Sequence, residues 1–137
     1  MKRLAMLPFF VVAFMTLCLV FAQRGYAEQP PVLEVIHPAI CLEVVEHACV
    51  GTNDVFPANV GKLYCLTRVY GAKEDTEVTH VWFFGDTERA RIKLDIRSVN
   101  FRTYSSKIIR PHEIGSWRVD ILDSENRVLK VVEFSIE

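Results

Sequence analysis

Ser105, Ser106 and Lys107 stand in a row, with His80 and Asp86 upstream. Those side chains are the types from which a nucleophile, a general base and an orienting carboxylate are made. Their spacing gives the idea no support. A hydrolase serine usually sits on a strained turn of the form G-x-S-x-G, and a Ser-Lys enzyme often shows S-x-x-K; neither occurs here. Ser105 and Ser106 therefore read as strand or bulge residues that hydrogen-bond the backbone. His80 alternates with Trp82 along an apolar stretch and reads as a hydrogen-bonded core or edge histidine. A small periplasmic hydrolase using Ser105 or Ser106, Lys107 and His80 is the alternative.

Two other groups of residues could bind rather than react. Between Arg89 and Arg110 there are seven basic residues and one acid, Asp95. Strand periodicity puts Arg89, Arg91 and Lys93 on one face, where they could meet anionic lipid headgroups, a phosphorylated glycan or an acidic protein. The ordinary alternative is a solvated face paired with Glu74, Glu77 or Glu88. The aromatic residues Trp82, Phe83, Phe84, Phe101, Tyr104 and Trp117 could include a platform for sugar rings, as in a carbohydrate-binding module, although most suit the inside of a folded domain better. Arg102, Tyr104 and Lys107 combine cation and ring on one short stretch and form the mixed surface best suited to binding.

These groups need a scaffold. The chain has 137 residues, half of them apolar and a quarter charged, with a formal charge of -1. That is the length of one domain, too hydrophobic for disorder and without the basic field of a nucleic-acid binder. Residues 1–27 distort the composition: Met1-Lys2-Arg3 precedes a nearly unbroken apolar run from Leu4 to Ala22. This has the form of a signal peptide, expected as a helix, with cleavage expected after Gly25-Tyr26-Ala27. If uncleaved, the same segment would anchor the protein in a membrane. Lipidation at Cys18 is disfavoured by Leu17, which stands where a small residue belongs. Removing residues 1–27 leaves 13 basic and 17 acidic side chains, a formal -4.

Export places the remaining cysteines, Cys41, Cys49 and Cys65, in an oxidising compartment. Cys41 and Cys65 lie in alternating apolar stretches, as residues facing a common core would, and are the pair expected to form a disulfide. Cys49 stands at the edge of a polar segment. The close C-x-x-C pairs of structural zinc sites are absent, so no metal and no other cofactor is expected.

From residue 28 the chain is punctuated like a small all-β protein. Three prolines in 28–38 suggest an extended lead-in, and the folded domain is expected over 39–137. Strands are expected at 39–46, 62–70, 77–84, 89–96, 102–109, 117–122 and 128–136, with turn residues between them. Residues 62–70 place Leu63, Cys65, Thr67 and Val69 on one face. In 77–84, Val78, His80, Trp82 and Phe84 oppose Thr79, Val81 and Phe83, a strand buried on both sides for much of its length. In 89–96, Ala90, Ile92, Leu94 and Ile96 alternate strictly with charged residues, and Gly85 to Glu88 should close an antiparallel hairpin. Seven short strands without an amphipathic helix argue an antiparallel β-sandwich of immunoglobulin-like architecture.

The strings VGKLYCLTRV at 60–69, THVWFFGD at 79–86, RTYSSK at 102–107 and GSWRVDILDSENRVL at 115–129 resemble a bacterial family of domains of unknown function, number 2914. The resemblance runs from about Ala39 to Ile136. Its most specific part is the order His-x-Trp, then Arg-Thr-aromatic-Ser-Ser-Lys, then Gly-x-Trp-Arg-Val. Phe101-Arg102-Thr103-Tyr104 stands where the family usually has Trp-Arg-Thr-Trp, and His112-Glu113-Ile114 replaces the usual aromatic before Gly115. The resemblance implies a β-sandwich in an extracytoplasmic or membrane-associated setting, and no activity. The function expected is thus a non-catalytic exported binding or interaction module of the cell envelope. Its partner would be an envelope protein, a glycan or an anionic surface, and not nucleic acid.

Overall fold

The computed structural model describes residues 32–137; the expected signal helix at 1–27 and the start of the lead-in lie outside the described residues. Ten strands follow in order: β1 Glu34–Cys41, β2 Glu43–Val45, β3 Ala48–Val50, β4 Val55–Phe56, β5 Lys62–Tyr70, β6 Thr76–Phe84, β7 Thr87–Ile96, β8 Asn100–Ile108, β9 Gly115–Leu122 and β10 Val128–Ile136. The described residues form no helix, and so none that could cross a membrane. The all-β expectation holds, and β5 to β10 match six of the expected strands closely.

The strands form a three-stranded sheet, β1-β5-β8, a five-stranded sheet, β4-β10-β9-β6-β7, and a small β2-β3 hairpin. Pairing is antiparallel except where β4 runs parallel to β10. The two larger sheets share one hydrophobic core. Leu63, Cys65 and Val69 come to it from one sheet; Val78, Trp82, Ile96, Trp117, Val119, Ile121, Phe134 and Ile136 come from the other. Phe134 is a hub, with ring centroids 5.9 Å from Trp117, 6.1 Å from Trp82 and 6.2 Å from Phe56. Its edge-on and stacked contacts add to the burial of large rings.

The beginning of the domain departs from the expected pattern. The lead-in does not extend to residue 38: β1 starts at Glu34, and Leu33 and Val35 are already in the core. Pro38 is tolerated because β1 is a sheet edge and the proline lies in a bulge, where a missing N–H breaks no ladder bond. The pairing Ile36 with Arg68 resumes as Ala39 with Leu66, so β1 carries one extra residue there, and His37 has φ 46°. Val35 and Ile40 are five positions apart and would face opposite ways on a regular strand. The bulge restores the phase, and both are buried.

The expected strand at 39–46 is instead broken at Leu42, and its second half folds into the β2-β3 hairpin. Glu46 and His47 form the two-residue turn with φ 50° and 60°, the conformation of a type I′ hairpin. Asn and Gly usually supply such turns, so the residue types carried no signal of it.

The disulfide joins Cys41 to Cys49, not to Cys65. The register explains the correction. Ile40 lies opposite Cys65 and shares its core face, which turns Cys41 to the outer face of the same sheet. There it meets the hairpin folded back over it. Closing so short a loop stabilises by about 2.5 kcal/mol in the chain-entropy model. Cys65 is a buried free thiol.

Candidate functional site

His80 on β6 and Ser105 on β8 belong to different sheets, and the core brings them together: Ser105 Oγ lies 2.6 Å from His80 Nδ1. Ser105 Oγ also accepts a hydrogen bond from Trp82 Nε1 at 3.0 Å. On the other side of the ring, His80 Nε2 is 3.2 Å from Thr67 Oγ1, and Thr67 donates to the Thr103 carbonyl at 3.3 Å. One proton arrangement satisfies every member. The indole donates to Ser105, Ser105 donates to Nδ1, Nε2–H donates to Thr67, and Thr67 donates to the backbone. The imidazole is therefore neutral, and burial lowers its pKa from 6.5 to about 4.

The pair has the distance of a nucleophile and its base but not their setting. His80 and Thr67 are fully buried, Ser105 nearly so, and none of the three lines a surface cavity described below. Nε2 meets a hydroxyl instead of an orienting carboxylate. Asp86 lies in the β6-β7 turn, where its carboxylate is 3.8 Å from Arg118. Ser106 faces the opposite side of β8, and Lys107 donates to the Ile108 carbonyl at 2.8 Å. The expected core role of His80 holds. Ser105 binds side chains rather than the backbone.

The basic stripe does not form as expected. A bulge in β7, where Trp82 pairs with Ala90 but Phe83 with Glu88, makes Arg89 the extra residue and removes it from the face of Arg91 and Lys93. Arg89 instead stacks over Phe84 at 5.4 Å and lies 3.7 Å from the buried Glu113 carboxylate. Arg91 pairs with Glu88 at 2.8 Å and Lys93 with Glu77 at 3.8 Å. Each cation is thus matched, two of them by the acids named from the sequence. Arg91 and Lys93 stand opposite Val81 and Thr79 in the register, and those two residues of the outer side of β6 are buried.

The mixed surface of Arg102, Tyr104 and Lys107 survives in part. Arg102 and Tyr104 share the outward face of β8, whereas Lys107 has the opposite parity and lies across from the buried Leu63. The neighbours of Arg102 and Tyr104 come from β5. Arg68 is directly opposite Arg102, and Tyr64 meets Tyr104 edge to face at 6.0 Å, with Lys62 5.2 Å above the Tyr64 ring. Arg68 Nε donates to Asn100 Oδ1 at 2.7 Å. The tip of the β2-β3 hairpin overhangs this face. Glu46, His47, Arg68, Asn100, Phe101 and Arg102 line a shallow, open recess of about 410 Å³.

A second cleft, of about 450 Å³, opens at one end of the sheets beside Asp86, Trp117, Arg118 and Glu133. Arg118 there lies 4.0 Å over the Phe83 ring and 3.1 Å from Asp120. Arg118 and Arg68 stand in strings quoted for the resemblance, but sequence reasoning gave neither a binding role, since only strand register shows what stands beside them. Among the described residues no His, Cys, Asp or Glu group could hold a metal ion.

The structure thus defines a mostly antiparallel all-β domain with two larger sheets, a buried polar link between them and a cationic, aromatic outer face. Residues 75–136 match the model of the family described as "Protein of unknown function (DUF2914)", which bears out the resemblance read from the sequence over that stretch. The string at 60–69 lies outside the match. No curated protein matches the chain. Among solved structures, a beta-D-glucoside glucohydrolase from Trichoderma reesei aligns with 77% of this chain at 11% identity and a TM-score of 0.39. The chain spans 19% of that enzyme's length, and a likeness so distant carries no argument about fold or activity.

Proposed function

We propose that the protein is an exported, non-catalytic binding module of the bacterial cell envelope, built as an immunoglobulin-like β-sandwich, and that it binds through the outer face of the β1-β5-β8 sheet. The observation that carries this reading is the contrast between the two places where chemistry was sought. The Ser105–His80 pair is fully hydrogen-bonded and shut away from solvent. The Arg68, Arg102 and Tyr104 surface is open beside a recess, and Tyr104 is 45% exposed. Large rings and arginines at the surface are the residues from which binding hot spots are made. The basic start and apolar run of residues 1–22 support export, with cleavage after Ala27 releasing the domain.

A photo-crosslinking side chain in place of Ser106, on the proposed face, or of Lys93, on the other sheet, tests the reading in intact envelopes. Discrete adducts from the Ser106 position alone are expected. Adducts from Lys93 alone, or none from either, would contradict it.

A further inference from the structure

The pairing of β5 with β8 sets Arg68 directly across from Arg102 on the same outward face. Like charges opposite one another destabilise a strand pair, so the sheet itself gains nothing from this placement. Most arginines elsewhere in the described residues are neutralised: Arg89 by Glu113, Arg91 by Glu88, Arg97 by Asp95, Arg118 by Asp120 and Arg127 by Asp123. Among the described residues no carboxylate lies within ion-pairing distance of Arg68 or Arg102. Asn100 takes the Nε–H of Arg68, which fixes the guanidinium and leaves its two terminal nitrogens to donate elsewhere.

Resting on the outer-face reading above, we propose that Arg68 and Arg102 grip the anionic group of an acidic sugar in the recess beneath the β2-β3 hairpin. Two guanidinium groups offer paired N–H donors to a carboxylate or phosphate, the groups they match best. Exposed rings flank the pair on the same face. Tyr70 lies two residues along β5 from Arg68, and Tyr104 two residues along β8 from Arg102; they are 48% and 45% exposed. A ring on each side gives flat apolar surface for the sugar units that carry the charge. The recess, at about 410 Å³, lies in the range of small-molecule sites.

The hairpin argues for a single group over a charged plane. It carries Glu43 and Glu46, both exposed, and the Cys41–Cys49 disulfide holds it over the sheet. Glu46 lines the same recess as Arg68 and Arg102, so a broad anionic surface laid over this face would meet its carboxylate as well as the two guanidinium groups, whereas a single anion can be held by the arginines alone.

Calorimetric titration of the full-length protein with trigalacturonate, galactotriose and glucose 6-phosphate, and co-sedimentation with phosphatidylglycerol-containing liposomes, test the proposal. Binding of trigalacturonate or glucose 6-phosphate is expected, and which of the two binds tells carboxylate from phosphate. Arg68→Gln and Arg102→Gln should each weaken it at least tenfold, Tyr104→Ala severalfold, and Arg91→Gln not at all. Galactotriose bound equally well, liposome binding alone that Arg68→Gln and Arg102→Gln abolish, or acidic sugar binding indifferent to Arg68→Gln and Arg102→Gln would overturn it. So would a failure of both acidic sugars to bind. Crosslinking from Ser106 in the face of those results would leave the outer-face reading standing and remove only the acidic sugar.

Discussion

Ser105 and His80, 25 residues apart in the chain, meet at 2.6 Å between the two sheets and act as a polar strut through an otherwise apolar core. Trp82 and Thr67 complete their hydrogen bonding. A buried network with every member satisfied fixes the relative position of the two layers, and one with a member missing becomes a defect. Both side chains are buried, His80 fully and Ser105 to 4% exposure.

The strut makes stability depend on pH in a stated direction. His80 is held neutral, with its pKa lowered from 6.5 to about 4, so between those values the unfolded chain binds the extra proton and the folded one does not. Stability rises with pH across that window. The contribution is fully present above pH 6.5 and falls by about 3 kcal/mol by pH 4. Urea unfolding at a series of pH values, with the His80 ring protons followed by NMR, should show both the slope and a folded-state midpoint near 4.

Ser105→Ala removes the acceptor of the Trp82 indole and the donor to His80. Two buried groups lose partners, and the domain should lose about 2 to 4 kcal/mol by chemical denaturation. Ser106→Ala, on the other face of β8, should change stability by less than about 0.5 kcal/mol.

The two kinds of cysteine should react differently. Burial pushes the Cys65 thiol up to about 12, so it should resist thiol reagents until the protein unfolds, as peptide mapping after alkylation would show. Cys49→Ser should lower stability by about 2 kcal/mol and speed amide exchange in residues 43–50.

Asp123 closes the turn between β9 and β10. Burial alone would raise its pKa, but the Arg127 and Glu125 amides and the Arg127 guanidinium outweigh it and hold the carboxyl below its ordinary value. Its contribution is present above the unfolded-state value near 3.8 and is lost as pH falls through the lower folded-state value. Asp123→Ala should cost about 1 to 3 kcal/mol at neutral pH and flatten the acid limb of the stability curve.

What could be read in the sequence depended on how local its cause was. The alternation of Ala90, Ile92, Leu94 and Ile96 announces β7 because a strand with one buried face needs only its own residues to say so. The core face of β6 was legible for the same reason. β1 was not, since the bulge at His37 and Pro38 shifts its phase. Nor was the hairpin, whose turn is made by Glu46 and His47 in place of Asn or Gly. The wrong disulfide followed from that missed phase, because one residue of slip moves a side chain to the other side of a sheet. Arg102 and Tyr104 could be named in advance, but Arg68 could not, since its opposition to Arg102 is a fact of register between distant segments.

If recognition occurs on the outer face of the β1-β5-β8 sheet, hydrogen–deuterium exchange in the presence and absence of envelope extract will register it there. Slowed exchange confined to residues 43–50 and 100–108, with 87–96 unchanged, is the predicted result. Protection at 87–96, or at the end cleft around Asp86 and Arg118, with none at 100–108, would contradict it.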